Sequence, residues 1–197
     1  MSPSVARSNV PPSNDLDHST HFVQFYNDDR FIVERVARRA GAALRAGESC
    51  VLAATRFHLD DIDYVLSRRG IDTEYFRELG RYIELDAGQT LSEFMHLDSP
   101  NEGKFLSLLG GAIQRASALS PSTRVCAFGE MVALLCAAGN SGAALQLEKL
   151  WNKLGRSFNF SLCCAYPLAA FADDFDGSTL VAVCAQHVLA LPAEAPF

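Results

Sequence analysis

Glu130 is a lone carboxylate inside residues 125–135, Val-Cys-Ala-Phe-Gly-Glu-Met-Val-Ala-Leu-Leu, a stretch otherwise apolar or glycine. Removing an unpaired carboxylate from water costs several kcal/mol, so Glu130 must meet solvent, a partner or a ligand. Gly129 before it permits a sharp turn or the close approach of another group. The plainer alternative is a glutamate in the first turn of a helix, where the dipole favours it. Tyr26, Thr55, Asp86 and Tyr166 end apolar runs in the same way, and Phe128 and Met131 would add apolar walls. Thr55 and Asp86 also read as ordinary helix caps, and Tyr166 before Pro167 as a strand end with its phenol in water. Such a set can orient a small polar molecule. Acid–base work by Asp86 and Glu130, or metal ligation by them with a histidine, needs distances that spacing does not supply.

Other chemistries lack their motifs. His18, His21, His58, His96 and His187 include no H-x-x-x-H or H-E-x-x-H arrangement, so no metal site is expected. His21 and His187 are retained as additional ligand contacts. No G-x-x-x-x-G-K-[ST], G-x-G-x-x-G after a strand, or G-x-S-x-G occurs, so no catalytic residue and no cofactor is assigned. Asn27-Asp28-Asp29 places acids where a phosphate would dock on a helix N-terminus. The chain is not expected to be an enzyme.

The elements that would position these residues follow from hydrophobic periodicity. Strands are expected over residues 21–26, 49–55, 81–86, 123–129 and 160–166. A helix from about residue 28 to 46 follows the first strand, with Gly47 ending it. Leu59, Ile62 and Leu66 mark a second helix. Shorter ones are expected over 72–79 and 89–96, and longer ones over 100–118, 141–158 and 179–188. Strands separated by helices of this length require crossovers, hence a three-layer α/β domain around a mainly parallel sheet of about five or more strands. In such sheets ligands bind beyond the carboxyl ends of the strands. Tyr26, Thr55, Asp86, Glu130 and Tyr166 are expected on that edge.

Composition narrows the class. With 197 residues, 49% hydrophobic and 20% charged, the chain can bury one sizeable core. A net charge of −6 disfavours nucleic acid. No apolar run is long enough to span a bilayer, and residues 1–20 lack the apolar core of a secretory signal. Six cysteines without a C-x-x-C fit a reducing, cytoplasmic setting, and Cys163 and Cys164 would point to opposite faces of a strand. Residues 1–20 and 191–197 read as tails around one domain, 21–190.

Several short stretches resemble the MEDS sensory domain, named in part for the sensor region of the dichloromethane-catabolism repressor. They are His21-x-x-Gln24-Phe25-Tyr26, Leu44-Arg45-Ala46-Gly47-Glu48, Gly80-Arg81-Tyr82-x-x-Leu85-Asp86-Ala87 with Thr90-Leu91, and Phe128-Gly129-Glu130-Met131-Val132-Ala133-Leu134-Leu135. Leu147-Glu148-x-Leu150-Trp151-Asn152, Cys164-Ala165-Tyr166-Pro167 and Cys184-x-x-His187 complete the set. The resemblance implies a RecA/KaiC-like core without its phosphate loop. It also implies a sensory role toward simple hydrocarbon or one-carbon derivatives, and carries no catalytic residues. Relatives join the domain to a helix-turn-helix or a histidine kinase; neither is expected in this chain. The expectation is therefore a stand-alone small-molecule sensor that signals through a histidine kinase or transcription regulator, with homo-oligomerisation open. The alternative is a ligand-free interaction or oligomerisation module regulating the same kinds of partner.

Overall fold

The computed structural model describes residues 20–193. The expected tails fall mostly outside this range. β1 (His21–Tyr26) leads into α1 (Asp29–Arg45), which Asp28 caps by accepting from the Arg30 amide. Gly47, at φ +83°, turns the chain into β2 (Ser49–Ala54). α2 (Arg56–Arg68), α3 (Thr73–Glu78) and β3 (Tyr82–Asp86) follow, then α4 (Ala87–Phe94). A small hairpin, β4 (Met95–His96) with β5 (Ser99–Pro100), occupies the end of the segment expected to be helical to residue 96.

The helix expected over 100–118 is α5 (Glu102–Phe105) and α6 (Gly111–Leu119), joined by a π-helical turn at Leu106–Gly110. β6 (Val125–Gly129) precedes α7 (Met131–Ala137), and α8 (Ser141–Gly155) precedes β7 (Phe160–Pro167). The helix expected over 179–188 stops early: α9 (Ser178–Cys184) is followed by an edge strand, β8 (Leu189–Leu191).

The main sheet has the order β3-β2-β6-β7-β1-β8, with every pairing parallel. Alternation along the strands divides the core in two. Phe22, Tyr26, Leu52, Phe128 and Cys163 pack with α1 and α2 on one face. Val23, Val51, Leu162, Cys164 and Tyr166 pack with α4 to α8 on the other. Cys163 and Cys164 do face opposite ways. Each of the two helical layers buries a strand face that water would otherwise wet, which is what a fully buried parallel sheet requires. Among the described residues no helix is long and apolar enough to cross a membrane.

Candidate functional site

The carboxyl edge carries the expected residues in the order Asp86, Thr55, Glu130, Tyr166, Tyr26, as the strand order dictates. Their side chains do not converge on one spot. Asp86 accepts from the Gln89 amide at 2.8 Å and caps α4. Phe128 and Met131 lie in opposite halves of the core, and both are buried. Tyr26 lies beneath α1 and α2, Tyr166 beneath α7 and α8, because neighbouring strands present them to opposite faces. Gly129 makes only ordinary contacts: an added Cβ would meet nothing closer than 3.9 Å.

Glu130 organises the first of two polar nodes. Its carboxylate, 2% exposed, accepts the Thr55 amide at 2.9 Å through one oxygen and bonds His58 Nδ1 through the other. Thr55 in turn caps α2 by accepting from the His58 amide. The other imidazole nitrogen, Nε2, faces Asp29 at 3.5 Å. The Tyr26 ring stands edge-on to His58, with centroids 6.4 Å apart. Burial alone would lower the His58 pKa. The hydrogen bond and charge of Glu130, reinforced by Asp29, outweigh it and raise the value above the ordinary 6.5. Burial, with the charges of Glu130 and Asp29, raises the Tyr26 phenol, so it is a donor and not a base. Three residues of the expected site thus meet here, around a histidine that was not among them. His58 belongs to the inner stripe of α2 beside Leu59, Ile62 and Leu66; a polar residue in that stripe is the signal that marks it.

The second node is buried between β1, β7, α8 and the turn after α9. Glu148 is fully buried. One of its oxygens accepts the Tyr166 hydroxyl at 2.7 Å. The other lies 3.2 Å from His21 Nε2, 3.4 Å from His187 Nε2 and 3.4 Å from Cys164 Sγ. The two imidazole rings sit 4.1 Å apart. Burial would raise the Glu148 pKa, but the imidazoles of His187 and His21 that face it pull it down to about 2. Burial, together with Glu148, raises the Tyr166 phenol and the Cys164 thiol. His21, His187 and Tyr166, expected as ligand contacts, are therefore brought to one another. Glu148 is not among the expected residues, because the apolar phase of α8 predicts packing alone. Yet it lies between Leu147 and Trp151 on the buried side of that helix, an acid inside an apolar stripe just as Glu130 is.

The family model for "MEDS: MEthanogen/methylotroph, DcmR Sensory domain" matches residues 20–188. No curated protein matches the chain. Among solved structures, a KaiC-like protein from the hyperthermophilic archaeon Pyrococcus horikoshii OT3 superposes with a TM-score of 0.51 at 12% identity. The alignment covers 76% of this chain and only 63% of that one. The likeness is one of fold, a three-layer α/β core of the RecA-like kind.

Proposed function

We propose that this chain, which belongs to the MEDS sensory domain family, senses a small molecule through the Glu130 node. The reading rests on one observation. A carboxylate almost sealed from water is held by His58 and the Thr55 amide at the start of α2, a helix end at the carboxyl edge of a parallel sheet. A simple hydrocarbon or one-carbon derivative bearing a hydroxyl or amine can take the place of the His58 N–H on Glu130. Tyr26 and Asp29 stand beside it to contact the rest of the molecule. Binding then draws His58 and the first turn of α2 away from the sheet. The same helix carries Phe57 and Tyr64 on its outside, 64% and 65% exposed. A signalling protein of the kinase or transcription-regulator kind, in the cytoplasm, reads the shift there.

The experiment is a titration of the isotope-labelled chain with methanol, methylamine and formaldehyde (a diol in water), with dichloromethane as the control that bears no donor, followed by amide NMR. Saturable shifts at Thr55, His58 and Tyr26, lost in Glu130→Gln, are expected. Shifts that persist in Glu130→Gln, or none at all, overturn the reading.

A second reading has its own observation. Both Glu130 oxygens are already satisfied by the chain's own groups, as they would be in a docking module that binds no ligand. An inert panel, combined with loss of a co-purifying partner in Phe57→Ala/Tyr64→Ala, favours it.

A further inference from the structure

The second node has a chemical shape that packing does not explain. Ligand atoms of His21, Glu148, Cys164 and His187 all lie within 4.8 Å of one another. They come from four separate stretches of chain, so no short motif announces them. Four of the six separations are 3.2 Å (His21–Glu148), 3.4 Å (His187–Glu148), 3.3 Å (His21–Cys164) and 3.4 Å (Cys164–Glu148). Bonds of about 2.0–2.3 Å to zinc place the corners of a tetrahedron about 3.3–3.8 Å apart. Those four edges are already close to that length.

Outer contacts aim the ligands inward. The Val183 carbonyl lies 2.7 Å from His187 Nδ1. A carbonyl can only accept, so Nδ1 donates to it, and Nε2 is the ring atom that His187 turns toward the cluster. That nitrogen is buried and has no hydrogen-bond partner, although a carboxylate oxygen faces it. His21 is arranged alike. Its Nδ1 lies 2.9 Å from Asn152 Oδ1, and Asn152 Nδ2 donates to the Gln186 carbonyl, which fixes the amide with its oxygen toward the imidazole. Tyr166 holds the far oxygen of Glu148 and leaves the near one pointing at the histidines. Histidine ligands that donate their second N–H to a carbonyl or amide oxygen are the usual outer architecture of protein metal sites. Two ring nitrogens, a carboxylate oxygen and a sulfur thus face one another with no other group between them. A cation at their centre would accept a bond from each.

We propose that His21, Glu148, Cys164 and His187 form a closed site for a divalent ion of borderline softness, zinc in the first instance. Mixed nitrogen, sulfur and oxygen donors favour zinc over magnesium or calcium. Four protein ligands leave no open position, so the site is structural or regulatory. Binding replaces the Cys164 thiol proton, released to solvent, with a sulfur–metal bond. Access is short: a hollow of about 200 Å³ lined by His21, Asn152, Trp151 and Val188 opens beside the cluster. The ion would pin the segment after α9 to β1, α8 and β7. This inference does not depend on the ligand reading of the Glu130 node.

The test uses the untagged full chain, stripped with a chelator and then exposed to zinc or cobalt(II). One ion per chain by mass spectrometry is expected, and for cobalt a thiolate charge-transfer band in the near ultraviolet. Cys164→Ser should abolish that band. Asn152→Ala, which only positions His21, should weaken zinc binding by about 10–100-fold. A folded wild-type chain that retains no zinc overturns the proposal, as does bound cobalt without the thiolate band. Metal content unchanged in both Cys164→Ser and His187→Ala does so too. The wild-type spectrum decides the matter even where a variant fails to fold.

Discussion

Glu130 and Glu148 are both sealed from bulk water, but the chain deals with their charge in different ways. Glu130 sits at the mouth of the sheet, next to a helix N-terminus. It is answered by one histidine whose far nitrogen faces Asp29, a side chain 63% exposed. Glu148 lies between sheet and helix and gathers two histidines, a thiol and a phenol, with no exposed acid among them. The first is a latch with one side near water, which an incoming molecule can open at modest cost. The second is a closed knot in which four side chains converge on one carboxylate. Burying an acid therefore means two different things here, and depth together with the number of committed partners separates them.

The contrast predicts a hierarchy of effects. Glu148→Ala strands two histidines and a tyrosine in the interior and should cost about 3–5 kcal/mol in denaturant unfolding. Glu130→Ala frees groups that water can partly reach, and about 1–3 kcal/mol is expected in the same assay. Equal losses would erase the distinction between latch and knot. The pH dependence sharpens it further. His58 has a raised folded-state pKa, so its contribution is complete below about 6.5 and fades as the pH climbs through the higher folded value. His58→Ala should flatten the stability–pH curve in that window, and a variant curve with the wild-type slope would remove His58 from the account. The smallest change belongs to Asp29→Asn, whose solvent-screened pair with His58 is worth less than about 1 kcal/mol. Calorimetry should find a correspondingly small shift in Tm.

The sheet was legible because its strands are short apolar runs bounded by caps and glycines, and residues 21–26 were delimited to the residue. β8 was not, since Leu189–Leu191 carries three residues and follows helical phasing through Leu180, Cys184 and Val188. The π-helical turn at Leu106–Gly110 is not legible either, because it leaves the apolar stripe nearly in phase. For the site, strand order could be anticipated only as a shared rim. Which face each rim residue occupies depends on register, so Tyr26 and Tyr166 were expected together and are found on opposite sides of the sheet. The signal for His58 and Glu148 is nonetheless present in the sequence. Each is polar within an otherwise apolar helical stripe, just as Glu130 is within its apolar run.

Among the described residues β1 is the first strand, yet it is clasped between β7 and β8, the last two. During synthesis its backbone must therefore stay unpaired on both sides until more than a hundred later residues have left the ribosome. Such distant closure is slow, and it leaves an apolar ribbon open to other nascent chains. A cell that makes this protein quickly should need chaperones to shield that first strand.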